Sequence, residues 1–174
     1  YYLFAAFERQ RVRFTFSRFV PENVVDQVLA GGEEELQLGG AKRECTLMFT
    51  DVRGFTTYSE SREPTEVVEV LNRYLGEMTD AIMDHGGTLV TYMGDGIMAV
   101  FGAPLDQEDH ADRAIAASRE ILDERLPAFC DWMRETGRGE GFKMGIGLNT
   151  GVVMSGQVGS KRRMEYTTIG DTTN

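Results

Sequence analysis

Apolar positions along this chain switch between two periods, and the switches mark its elements. From Cys45 to Thr50 they form a short, nearly continuous run, the pattern of a buried strand. From Pro64 to His85 they recur at helical spacing, at Val67, Val68, Leu71, Leu75, Met78 and Ile82. Pro64 suits a first helical turn, and Gly86-Gly87 ends the pattern. Thr88 to Met93 and Ile97 to Phe101 read as two strands joined at Gly94-Asp95-Gly96, a hairpin signal. A long helix is predicted over Asp109 to Thr136, with Ala114, Ile115, Ile121, Leu122 and Phe129 on its apolar side and Pro127 kinking or dividing it. Phe142 to Leu148, Val152 to Val158 and Met164 to Ile169 then read as strands.

Strand, helix, strand, strand, helix, strand is the βαββαβ order of a ferredoxin-like α+β fold. In that topology the first and third strands are antiparallel neighbours. Asp51 ends the first and Asp95 begins the third, so the two carboxylates are expected to converge despite their separation in sequence.

Residues 1 to 35 form a separate unit: a helical lead-in broken at Pro21, a short helix over Glu22 to Ala30, a stop at Gly31-Gly32 and the acidic linker Glu33-Glu34-Glu35. The main domain is expected over residues 36 to 174. Within the sequence no apolar run approaches the ~20 residues of a membrane span. Tyr1 to Phe7 followed by Arg9, Arg11, Arg13 and Arg18 matches either the cytoplasmic exit of a membrane helix or an amphipathic linker helix. The expected location is therefore cytoplasmic, free or on the cytoplasmic side of a membrane-anchored full-length protein.

The formal net charge of -10 argues against nucleic acid as a partner. It leaves nucleotide substrates open, because bound metal ions supply local positive charge. Cys45 and Cys130 both fall in apolar patterns and read as reduced core residues.

Asp51 and Asp95 each stand where an apolar strand meets glycine. Mg²⁺ and Mn²⁺ favour oxygen ligands and commonly bind through one or two carboxylates plus substrate phosphates. Strand capping and turn formation account for the same residues on composition alone. Gly54-Phe55-Thr56 offers backbone N–H groups at a turn that can cradle phosphates. His85 reads as a helix-end residue facing terminal carbonyls, and His110 as part of an acidic helix start. Lys161-Arg162-Arg163 reads as a solvated hairpin tip, and Met48, Met93 and Met98 as gap-filling core.

Four ordered segments carry a resemblance: Phe49 to Thr56, Tyr92 to Pro104, Gly145 to Ser160 and Tyr166 to Asn174. From about Leu38 onward the chain resembles the class III adenylyl/guanylyl cyclase catalytic domain. Arg18 to Pro21 and the short helix after them resemble the element that couples such domains to upstream sensor or membrane regions. The resemblance implies that Asp51 and Asp95 hold two divalent cations, Mg²⁺ or Mn²⁺, with the Val52 carbonyl as a further ligand. It implies phosphate contacts at Gly54, Phe55 and Thr56, and a ribose-positioning role for Asn174. It implies a homodimer in which Asn174 serves the partner's metal site. The expected reaction is attack of the ATP ribose 3′-hydroxyl on the α-phosphate, giving cyclic AMP and pyrophosphate.

Two departures bear on these expectations. The base-reading lysine of typical adenylyl cyclases corresponds to Thr91, four residues before Asp95, while Thr167 fits the adenine-type second position. Thr91 both donates and accepts, so it does not impose base identity as a lysine does. A guanylyl or relaxed-specificity cyclase and a catalytically inactive nucleotide-sensing dimerisation module remain as alternatives. The family's transition-state arginine falls four residues past Asn174, and its last strands lie beyond this sequence too, so the domain is expected to be C-terminally incomplete here.

Overall fold

The computed structural model describes residues 39–160 and 163–173. The lead-in unit, Lys161, Arg162 and Asn174 lie outside these residues. The elements are β1 (Gly39–Arg53), α1 (Phe55–Glu60), α2 (Pro64–Asp84), β2 (Thr88–Met93), β3 (Gly96–Phe101), α3 (His110–Glu120), a π-helical turn (Ile121–Arg125), α4 (Leu126–Glu135), β4 (Lys143–Ser160) and β5 (Arg163–Ile169). Every strand pairing is antiparallel, and the sheet order is β2-β3-β1-β4-β5. The first four strands reproduce the expected α+β arrangement, with β1 beside β3.

Alternation along β1 sorts its residues to two faces. Met48 and Val52 face the helices, where they pack with Ile97, Ala99 and Phe101 of β3 against Val70, Tyr74, Met78 and Ile82 of α2 and Phe129 of α4. Cys45 and Leu47 face the other way and cluster with Met98, Val100 and Val153. All six residues of β3 are buried, so this strand is covered on both faces.

Three elements differ from expectation. β1 begins at Gly39, because Gly39–Arg53 pairs along its whole length with Gln157–Lys143 of β4. Asp51 therefore lies two residues inside the end of β1. The two strands expected over 142–158 are one, β4, running through Gly151. The glycine there allows close approach: a Cβ would sit 2.6 Å from the Thr172 hydroxyl oxygen. The long helix divides as Pro127 predicts. Proline lacks an N–H and its ring opposes the carbonyl four residues back, and the π-helical turn Ile121–Arg125 absorbs that mismatch before α4.

Both cysteines are free. Burial pushes the Cys45 thiol up to about 11, so it is inert as a nucleophile. His85 caps α2 but pairs with the Glu120 carboxylate at 2.8 Å rather than with terminal carbonyls. His110 opens α3 and bonds the Thr46 hydroxyl through Nδ1 at 2.8 Å, tying that helix to β1.

Candidate active site

Register brings the two aspartates to one end of the sheet. Thr50 of β1 pairs with Ile97 of β3, so Asp51 follows this pair on one strand and Asp95 precedes it on the other. The strands approach closely here: a Cβ on Gly96 would stand 2.7 Å from the Thr50 carbonyl oxygen. Met93 pairs with Gly96, which leaves Gly94 and Asp95 as the two turn residues. Gly94 has φ 66° at the first of these positions, where a tight hairpin turn asks for glycine.

An open cleft of about 530 Å³ lies at this end, lined by Phe49, Thr50, Asp51, Met93, Gly96, Gly145, Ile146 and Gly147. Gly145 pairs with Asp51 and Gly147 with Phe49, so both glycines share the face of those side chains. A Cβ at either would meet nothing within 4 Å, so their missing side chains keep the cleft wide. The x-Gly-x-Gly alternation in 144–147 is the signal for this role, which residue-type reasoning left unassigned.

Asp51 is exposed and Asp95 half-buried. Neither forms an ion pair with a described residue. Among the described residues no group of three or more His, Cys, Asp or Glu is arranged to hold a metal ion. A pair of uncompensated carboxylates beside an open cleft still suits a hard divalent cation that takes its remaining oxygens from substrate or water. Val52 buries its side chain in the helix-side core, so only its backbone carbonyl is available as a ligand.

Gly54 precedes α1 at φ 87°, a left-handed conformation that favours glycine, and no side chain caps the helix. Phe55 packs its ring on Phe142 at 5.7 Å, leaving its backbone N–H as its polar contribution. Thr56 is exposed in the same first turn.

Thr91 and Thr167 are not brought together within one chain. Thr91 is exposed on β2 and donates to the Tyr92 carbonyl at 3.2 Å, while Thr167 is half-buried on β5 opposite Gly156. These are the two outermost strands, four strand spacings or roughly 19 Å apart across the sheet. Asn174 lies outside the described residues. Thr172, two residues before it, accepts a hydrogen bond from Asn149 through its backbone carbonyl at 2.9 Å.

The residues 40–174 match the adenylate and guanylate cyclase catalytic domain model. A curated relative, adenylate cyclase 1 of Rhizobium meliloti (strain 1021), is 37% identical over 164 residues, covering 92% of this chain and 24% of that protein. The crystal structure of the guanylyl cyclase Cya2 aligns with TM-score 0.73 and 44% identity over 78% of this chain and 68% of that one. The adenylyl cyclase CyaB from P. aeruginosa aligns with TM-score 0.73 and 31% identity over 78% and 69%. The fold is that of a class III nucleotidyl cyclase domain, and the chain belongs to the adenylate and guanylate cyclase catalytic domain family. It spans about a quarter of the length of the curated relative it matches. Among the described residues no helix is long and apolar enough to cross a membrane.

Proposed function

We propose that this domain cyclises ATP to cyclic AMP with release of pyrophosphate, at sites shared between two copies of the chain. The observation that carries this reading is the placement of Asp51, which lines an open cleft, and Asp95, in the adjoining hairpin turn, at one end of neighbouring strands with no ion pair to a described residue on either. Two bound divalent cations, Mg²⁺ or Mn²⁺, would supply Lewis-acid charge to the attacking hydroxyl and the leaving pyrophosphate.

Asp51 and Asp95 are then the metal ligands, joined by the Val52 carbonyl. The backbone N–H groups of Phe55 and Thr56, opened by Gly54, orient the phosphates. Asn174 positions the ribose, and Thr91 and Thr167 read the base. These residues work chiefly by holding substrate in line for attack.

The placement of the threonines supports a homodimer. Nine residues of β4 separate Gly147, level with the cleft, from Gly156, level with Thr167, or about 30 Å of strand. Thr172 packs at Gly151, six residues or about 20 Å along β4 from Gly145 beside Asp51. Thr167 and the end of the chain therefore suit a partner's cleft better than their own. Residues 1–35 are proposed as the coupling segment to an upstream regulatory or membrane region, with the catalytic unit in the cytoplasm.

A second reading is a GTP-using enzyme. Thr91 in the lysine position favours it, as does the 44% identity to a guanylyl cyclase. Parallel assays of the full-length protein with ATP and GTP, reading each cyclic product and pyrophosphate, separate the two. Nucleotide binding without pyrophosphate release from either overturns both.

A further inference from the structure

β1 ends, and β4 begins, on one pair, Arg53 with Lys143. The chain leaves β1 through Gly54 into α1 and enters β4 from Phe142, so register sets Phe142 beside the turn that follows Asp51. That turn has little of its own to hold it. A Cβ on Gly54 would meet nothing within 4 Å, and no side chain caps the start of α1. None of the six residues of α1 is fully buried, and Phe55 and Tyr58 are the two that pack against the core.

Both of these rings meet Phe142. Phe55 lies 5.7 Å from it at 61° and Tyr58 5.2 Å from it at 90°. In such edge-on pairs the positive edge of one ring meets the negative face of another. Phe142 is anchored in turn. It stacks on Phe129 of α4 at 6.2 Å, with 23° between the planes, and Phe129 is 2% exposed. The Cys130 thiol donates to the Phe142 carbonyl at 3.5 Å, and a Cβ on Gly141 would collide with the Cys130 sulfur, so the backbone beside the ring is fixed as well.

The groups proposed to act at this turn are the Val52 carbonyl and the N–H groups of Phe55 and Thr56. All belong to the backbone. A side chain can find its partner by changing rotamer, but a backbone group points only where its segment is held. Misplacement of about 1 Å is enough to cost a site much of its effect. The ring that anchors α1 therefore matters to the site without reaching it.

We infer, resting on the reading of Asp51 and the turn after it as the metal-nucleotide site, that Phe142 is a positioning residue. Its ring clasps Phe55 and Tyr58 to the core and so fixes the turn between Asp51 and α1. It touches neither substrate nor metal.

The test is the affinity of the full-length protein for the Mn²⁺ complex of α,β-methylene ATP, by titration calorimetry, beside thermal melting of the same samples. Phe142→Leu and Tyr58→Leu remove edge-on pairs and are each expected to raise the Kd roughly tenfold. Tyr58→Phe keeps the ring and is expected to bind as the wild type does. Phe129→Leu changes the same ring cluster without a ring contact to α1, and is expected to melt lower yet bind normally. Asp51→Asn is the control for the site and is expected to weaken binding most. If it does so while Phe142→Leu and Tyr58→Leu bind normally, Phe142 is packing alone and the inference fails. If Phe129→Leu weakens binding as much as Phe142→Leu, the loss is general damage to the core and the inference fails again. If Asp51→Asn binds as the wild type does, the reading of the site fails and takes this inference with it.

Discussion

In the helical layer, charged side chains meet partners. Arg125 reaches Glu120 at 2.8 Å and lies 3.3 Å from Asp84 and 3.6 Å from Glu77; Arg138 takes both oxygens of Glu69 at 2.9 Å. At the end of β1 and β3, Asp51 lines an open cleft and Asp95 stands in the adjoining hairpin turn, neither in an ion pair with a described residue. The first arrangement settles charge within the fold. The second leaves both carboxylates without an internal partner and open to charge from outside. This difference separates residues that hold the domain from residues that use it, and it gives each a different mutational signature.

The sharpest break of the comparison comes from the cleft. Asp51→Asn and Asp95→Asn are expected to lower the cyclisation rate at least ~10³-fold, since metal charge stabilisation contributes several kcal/mol. The same variants should melt no lower than the wild type, because neither carboxylate forms an ion pair with a described residue. A core variant gives the opposite signature. Phe129, 2% exposed between Tyr74 and Phe142, should cost about 3–5 kcal/mol as Phe129→Ala. Its urea midpoint reads that loss.

A gentler change probes the cleft's width. Gly147→Val adds a side chain where a Cβ meets open space, so nucleotide affinity should fall roughly tenfold, about 1.4 kcal/mol. Stability should rise by roughly 0.5–1 kcal/mol, since glycine weakens a strand interior. The smallest effect belongs to the paired charges. Arg125, and after it His85, hold the Glu120 carboxyl below its ordinary value of 4.5. A depressed carboxyl stabilises the fold above its unfolded pKa and loses that contribution as pH falls through the folded value. Melting temperature should therefore decline below about pH 4.5. Glu120→Gln should flatten that part of the profile.

What could be read from residues alone follows the strength of local signals. α2 was legible because Pro64 opens it, glycines close it and its apolar stripe is long. The β2–β3 hairpin was legible from Gly94-Asp95-Gly96. The placement of Asp51 and Asp95 at one end of neighbouring strands followed from topology and needed no side-chain detail. α1 was not legible, since its six residues bury nothing completely and carry no apolar period. The first half of β1 was hidden because Lys42, Arg43 and Glu44 resemble a linker until β4 pairs with them. Gly151 looked like a break, but its reason is the packing of Thr172, a contact made twenty-one residues later.

The most direct measurement is product formation by the full-length protein with Mn²⁺ and either ATP or GTP, for wild type and Asp51→Asn in parallel. The expected result is equimolar cyclic nucleotide and pyrophosphate from the wild type, more from ATP than from GTP, and no product above background from the variant. Turnover that survives Asp51→Asn, or nucleotide bound by the wild type without pyrophosphate release, would contradict the account.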